Sequence, residues 1–294
     1  MSVRDTMITT LLRAVGAYSG RRSPSARQAL GRTLGQVMMR ISARRRDITS
    51  TNIIKAFPDM AAADVDAIVR GSYESLGITL AELLAVPSMS ADDVASRVDF
   101  PGLDALADRI ARRQPTVLVS GHYGNWELLA MAAGIKLKHP LTVVVHPQKN
   151  ASADVILNGY RSTFGNKLVP MREAARTLMR TLQDGGVVAM LADQHANAEK
   201  DAWVEFFGRP TPTYEAPAAL ALRFGAPIVV AFAERQPDGR YVAPIELIPS
   251  DDLPATADGV RQLTERHVQA LERAIRRNPS MWSWQHRRWR QDQP

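Results

Sequence analysis

The sequence predicts an α/β chain: a mostly parallel central sheet flanked by helices, with a helical N-terminal layer. Three observations carry this. Apolar residues recur at three-and-four spacing through the first hundred residues. From about residue 98, short β-branched runs bounded by Gly, Pro or Asp take over, with helical patterns between most of them. That alternation places helices on the faces of a parallel sheet. The division is 1–97 for the helical layer and 98–294 for the α/β core. No internal repeat or low-complexity linker separates them, so the two read as one integrated domain.

The elements follow in order. Met7, Ile8, Leu11, Leu12, Val15 and Tyr18 recur at helical spacing, with Arg4, Arg13, Arg21 and Arg22 around them. Such a helix either lies in a membrane interface or packs on the domain. ARQALGRTLGQVMMRISARRR and AAADVDAIVRGSYESLGITLAELLAV are the next helices. Asp59, after Pro58, reads as the N-cap of the second, and Pro87 ends it. VDF, TVLVS, LTVVVH, GVVAMLA, APIVVAFA and YVAPIEL read as strands. LDALADRIARR, WELLAMAAGIKL, ADVILNGYRSTF, REAARTLMRTLQD and YEAPAALALRF read as the helices between them. The last helix, GVRQLTERHVQALERAIRR, places Leu263, Leu271 and Ile275 on one face.

Composition narrows the function. An apolar fraction of 45% over 294 residues sustains a sizeable core. With no cysteine there is no disulfide, thiol nucleophile or cysteine metal site. The net charge of +7, from 37 basic and 30 acidic residues, favours an anionic partner: nucleic acid, acidic lipid or a phosphorylated substrate. No secretory signal is evident, and no run approaches the ~18 apolar residues that span a bilayer.

The stretch SGHYGNWE, residues 120–127, stands where a strand turns into a helix. Sites in open α/β sheets form beyond the carboxyl ends of strands. TVLVS ends at Ser120, which puts His122 at that edge. Gly121 and Gly124 let the backbone turn and leave room beside the imidazole. Asn125 suits the N-cap of the next helix, and Glu127 its first turn. Histidine is matched to proton transfer near neutral pH, and a carboxylate holds its tautomer. The pattern reads as a general base beside an acidic partner.

These residues resemble the late acyltransferases of lipid A biosynthesis and the related phosphatidylinositol mannoside acyltransferase, whose hallmark is a histidine with an acidic residue five positions on. TNIIKAFPDM resembles the family's Asn…Phe-Pro segment, LADQ (191–194) its Asp-Gln segment, VEFFGRPTPTYEAPAALALRFGAPIVV its Phe-Phe-Gly stretch, and NPSMWSWQHRRWR its closing segment. The likeness covers roughly residues 50 to 290.

The resemblance implies a glycerol-phosphate-acyltransferase-like fold in a membrane-associated enzyme, peripheral on the cytoplasmic face of the inner membrane. It implies no cofactor. An acyl carrier protein or coenzyme A thioester would donate the chain to a hydroxyl of a lipid acceptor, foremost a lipid A precursor. His122 would be the base and Glu127 its partner. Gly124 or Asn125 N–H groups, or a nearby arginine, would stabilise the oxyanion. Arg161 would meet a phosphate or sit as a solvated arginine. Asp193 and Gln194 end a strand, a site position that also caps turns. Glu205 is an alternative partner for His122. Arg209 would hold an anionic head group or sit on the surface. The tail residues Trp282, Trp284, His286, Arg287, Arg288, Trp289 and Arg290 suit a membrane interface, with core packing the alternative for the tryptophans.

Two departures from the family pattern stand out. The chain has no clear hydrophobic N-terminal anchor, and HANAEKDAW lacks a glycine often found there. A lysophospholipid, glycolipid or aminolipid acceptor therefore stays open. A metal-dependent hydrolase using His122, Glu127, His146, Asp193 or His195 is a rival reading, although no H-E-x-x-H pair is present. A nucleic-acid-binding module is another. Its arginines would need to form a basic groove, and they are scattered.

Overall fold

The computed structural model describes residues 3–148, 150–194 and 196–290. The Arg4 side chain and His195 lie outside the described residues. Five helices form the N-terminal layer: α1 (Val3–Gly20), α2 (Pro24–Ile41), α3 (Ala43–Ala56), α4 (Ala62–Ala85) and α5 (Ala91–Arg97). The run expected as one helix breaks between α2 and α3. Ser42 takes extended backbone there, and its hydroxyl accepts from the Arg45 N–H at 3.3 Å, restarting the helix. The N-cap of α4 is Ala61 rather than Asp59, which lies in the preceding turn. α4 ends at Ala85 and passes into a 3-10 turn containing Pro87. It runs through the layer as its axis and is buried along most of its length.

The α/β part continues with β1 (Val98–Asp99), α6 (Leu103–Ala111), β2 (Thr116–Ser120), α7 (Trp126–Leu137), β3 (Thr142–Val145), α8 (Ala151–Arg161), β4 (Lys167–Pro170), α9 (Ala174–Gln183) and β5 (Val187–Leu191). A hairpin follows, β6 (Ala202–Phe206) and β7 (Arg209–Thr213). Then come α10 (Ala216–Phe224), β8 (Ile228–Val230), β9 (Glu234–Arg235), β10 (Tyr241–Val242), β11 (Glu246–Ile248) and α11 (Ala257–Arg277). The main sheet has the order β11-β8-β2-β5-β3-β4. Only β11 runs antiparallel to its neighbour. YVAPIEL, read as one strand, divides in two: Tyr241–Val242 pair with β1, and Glu246–Ile248 pair with β8 at the sheet edge.

Side-chain alternation gives the sheet two different faces. Val117, Val119, Val188, Ile228 and Val230 pack in the core that contains residues of α9, α10 and α11. Leu118, Val143 and Ala189 point the other way, toward α7. Strands of a central parallel sheet are normally buried on both faces. These three are only partly buried, because they border a cavity.

After α11 the chain doubles back through residues 282–290. The Trp282, Trp284 and Trp289 side chains are at most 2% exposed and pack with Phe206 and Phe207 of the hairpin. This settles their alternative readings in favour of core packing. Asn52, from the Asn…Phe-Pro segment, donates to the Trp284 and His286 carbonyls at 2.8 and 2.6 Å. Two motifs more than two hundred residues apart thus form one contact.

On α1, Met7, Leu11 and Tyr18 are exposed while Ile8, Leu12 and Val15 turn inward. Among the described residues, no helix is long and apolar enough to cross a membrane.

Candidate active site

The register of two strands assembles the centre of the site. β2 and β5 pair in parallel from Thr116↔Val187 to Ser120↔Leu191. His122 lies two residues beyond Ser120, and Asp193 two beyond Leu191. The ladder therefore carries them to the same carboxyl edge, side by side. His122 Nδ1 lies 2.8 Å from Asp193 Oδ1, and the His122 backbone N–H donates to Oδ2 at 2.7 Å. The Trp282 indole N–H donates to the same Oδ2 at 2.8 Å. Gly121 makes this approach feasible, since a Cβ there would sit 3.1 Å from Asp193 Oδ2 and 2.9 Å from Leu271 Cδ1.

The electrostatics follow from the geometry. Burial pulls the His122 imidazole toward the neutral form. The charge and hydrogen bond of Asp193, with a smaller push from Glu127, outweigh it and raise the pKa above the ordinary 6.5. Burial would raise the Asp193 carboxyl. Its bonds to His122 and Trp282 instead hold it near 2. Asp193 is thus an anion at neutral pH, and Nδ1–H points at it. The lone pair of the neutral ring then sits on Nε2. Gln194 Nε2 lies 3.2 Å from that nitrogen, and the edge of Trp126 packs on the ring at 5.0 Å between centroids.

Glu127 departs from its expected contact. It falls in the first turn of α7 as anticipated, with Asn125 capping that helix by accepting from the Leu128 N–H at 2.9 Å. Its carboxylate, however, is gripped by Arg161 at the end of α8, through Nε at 2.9 Å and Nη2 at 2.7 Å. Trp126 donates to it as well, at 3.2 Å. Asp193, not Glu127, therefore bonds the imidazole, and Glu127 acts on His122 through its charge. Arg161 Nη1 also donates to Asn158, so all three guanidinium nitrogens already have partners.

Two proposed oxyanion donors are committed elsewhere. The Gly124 N–H donates to the Met281 carbonyl at 2.9 Å and the Asn125 N–H to Ala233 at 3.3 Å. Gly124 sits at φ 56°, and a Cβ there would lie 1.7 Å from the Ala233 oxygen, so the turn accepts only glycine. Glu205 does not partner His122. Strand alternation buries Val204 and Phe206 and turns Glu205 outward to solvent. Arg209 donates to the Lys55 carbonyl at 3.0 Å and ties the hairpin to α3.

A cavity of about 600 Å³ is lined in part by His122. Its apolar wall includes Leu118, Val143 and Ala189 from the sheet and Leu129, Ala130 and Ala133 from α7. One row further down the strands, Thr116 and Val187 are fully buried. Polar lining comes from His122, Glu127, Arg161, Gln194, Tyr214, Arg45 and His286. Among the described residues no three His, Asp or Glu side chains come together to hold a metal.

The profile of the family described as bacterial lipid A biosynthesis acyltransferase matches residues 4–291. The chain belongs to this family. Among its relatives, the lipid A biosynthesis lauroyltransferase of Escherichia coli (strain K12) is 26% identical over 267 residues, covering 89% of this chain and 84% of that protein. The phosphatidylinositol mannoside acyltransferase of Mycobacterium tuberculosis (strain CDC 1551 / Oshkosh) is 26% identical over 249 residues, 82% of this chain and 76% of that one. The E. coli lipid A biosynthesis myristoyltransferase is 21% identical over 261 residues, 89% and 80%.

In this member of the lipid A acyltransferase family, His122, Glu127, Arg161 and Gln194 line one cavity, Asp193 bonds His122 without lining it, and Glu205 and Arg209 stand apart from it. Sequence reasoning missed Trp282 as a bonding partner of Asp193. It also missed Arg45, which lines the cavity while donating to the Gln285 carbonyl at 2.8 Å. Neither has a local signal, since both reach the site across the fold.

Proposed function

We propose that the protein transfers a fatty acyl chain from a thioester, carried on acyl carrier protein or coenzyme A, to a hydroxyl of a lipid acceptor, foremost a lipid A precursor. The observation that carries this reading is a largely apolar cavity lined by His122, which is half-buried and paired with the buried Asp193. Such a cavity matches the size of small-molecule sites, roughly 300–1,000 Å³. The acyl chain lies along Leu118, Val143 and Ala189, which brings the thioester carbonyl up to His122.

In this mechanism Nε2 of His122 takes the proton of the acceptor hydroxyl as that oxygen attacks the thioester carbonyl. Asp193 fixes the tautomer and balances the imidazolium. The tetrahedral oxyanion meets the Gln194 carboxamide and the backbone N–H groups of Trp126 and Glu127 in the first turn of α7. When the C–S bond breaks, the thiolate leaves with the proton that His122 held. No acyl-enzyme forms. Arg45 supplies positive charge for phosphate on the acceptor or the donor carrier.

The glycerol-phosphate-acyltransferase-like fold belongs to this proposal, as does peripheral attachment to the cytoplasmic face of the inner membrane. The exposed apolar face of α1 fits an anionic lipid surface. Replacing Met7 and Leu11 together with Asp is expected to cut partition into anionic vesicles by about ten-fold or more, given roughly 1.5–3 kcal/mol per buried side chain. Vesicle co-sedimentation checks this, and unchanged binding would move the docking face elsewhere.

The cavity reading makes its own prediction. Ala189→Leu fills the wall and is expected to cost the longest donor chains about ten-fold or more in kcat/KM against shorter ones. A unchanged chain-length profile would take the acyl chain out of this cavity. The reading as a whole is tested by offering both thioester donors against lipid A precursors, lysophospholipids, glycolipids and aminolipids, with products identified by mass spectrometry. Transfer to one acceptor supports it. Absence of transfer to all of them counts against it.

A further inference from the structure

We propose that Glu82 is a positioning residue of the active site, acting through Asn125. Glu82 sits on α4 with no exposed surface and does not line the cavity. Its Oε2 accepts from Asn125 Nδ2 at 2.6 Å and from the Tyr241 hydroxyl at 2.5 Å, and its Oε1 from Arg97 at 2.5 Å. Asn125 is itself fully buried, and its Oδ1 accepts from the Leu128 N–H to cap α7.

A carboxamide has two unlike ends, and a carboxylate only accepts. Glu82 therefore draws the Asn125 amine to its side and leaves the oxygen for the helix. Turned around, the amide would set its oxygen against a carboxylate and its amine against the Leu128 N–H. The capping orientation is thus selected by Glu82. On the same face of α4, one turn earlier, Thr79 Oγ1 donates to the Gly124 carbonyl at 2.8 Å. The helical layer fixes the turn at both residues that precede Trp126.

What the cap positions is functional. Trp126 and Glu127 are the first two residues of α7. Trp126 packs on the His122 ring, and Glu127 holds Arg161. A rotation of this first turn would displace both against His122. The inference rests on the acyl-transfer reading of the site for its catalytic consequence, but its geometric core does not.

The test is an exchange of roles. E82Q sets one carboxamide against another and lets Asn125 turn. N125D sets carboxylate against carboxylate while leaving the Glu82–Arg97 pair in place. The double variant restores one donor–acceptor pair in reverse, and Asp remains a good N-cap. Each single change is expected to lower kcat by roughly 10- to 100-fold, the cost of a small misplacement, with the double recovering most of it. In an E127Q background, E82Q should add little further loss in kcat.

A fall in thermal midpoint with kcat per folded enzyme intact would make Glu82 merely structural and overturn the proposal. So would a double variant no better than the worse single one. If E82Q does not fold, N125D and the double carry the same comparison. If the wild type transfers no acyl chain at all, the acyl-transfer reading fails separately. The crystal structure of N125D then decides. A displaced start of α7 with the Glu127–Arg161 pair broken supports the proposal, and an unchanged one overturns it.

Discussion

His122→Ala is expected to abolish lipid acylation, with a loss on the order of 10²–10⁴-fold, the usual contribution of a positioned general base. Neither neighbouring carboxylate takes its place. Asp193 is a buried anion held near 2, far too weak a base for a hydroxyl. Both carboxylate oxygens of Glu127 are engaged by Arg161. Folding should survive, because Asp193 keeps the indole N–H of Trp282 and the backbone N–H of residue 122. Steady-state acylation assays on protein with a preserved thermal transition check the prediction. Near-normal turnover would remove His122 from the chemistry.

Asp193→Asn is expected to cost a similar factor and also to move the pH profile. Among the described residues, two of the three donors to this carboxylate converge on Oδ2. An asparagine satisfies them by placing its oxygen there, which turns its amine toward His122 Nδ1. That orientation favours the tautomer protonated on Nε2, and the reacting nitrogen then has no lone pair. The pH effect has a definite sign. The base works when neutral, so wild-type kcat/KM climbs as pH rises through a His122 pKa above 6.5. Without the Asp193 charge, burial dominates and the climb shifts to lower pH.

Stability follows the same pair. Asp193, depressed to about 2 from 3.8, contributes stability that is present above its ordinary pKa and is lost as pH falls through 2. His122, raised, contributes stability that is full below 6.5 and lost as pH rises through its folded value. Acid unfolding of D193N should lose the first of these dependences.

What the sequence made legible is local. SGHYGNWE contains its own strand end, turn glycines, helix cap and first-turn carboxylate, and each takes its expected place because neighbours in the chain decide it. The partner of His122 is a different matter. β3 and β4 intervene between β2 and β5 in the chain, and strand order is set by packing across the sheet. The equal two-residue overhang of His122 and Asp193 is informative only once that pairing is known. Glu127 was expected as the partner of His122, and Arg161, arriving on another helix, engages its carboxylate instead.

The tail was ambiguous for a related reason. Tryptophans among arginines suit a membrane surface as well as a core, and the hairpin that covers them has strands interrupted by Pro210 and Pro212, so it carries little strand signal. The break at Ser42 was readable in principle, since serine is a strong N-cap, but the unbroken apolar periodicity masked it.

Asp193 holds His122 as a base with a raised pKa. Titrating the His122 ring by NMR, in wild type and in D193N, tests it most directly. The wild-type pKa is expected above 6.5, with the proton of the neutral form on Nδ1, and is expected to fall when Asp193 is replaced. A wild-type value below 6.5, or one that D193N leaves unchanged, would contradict it.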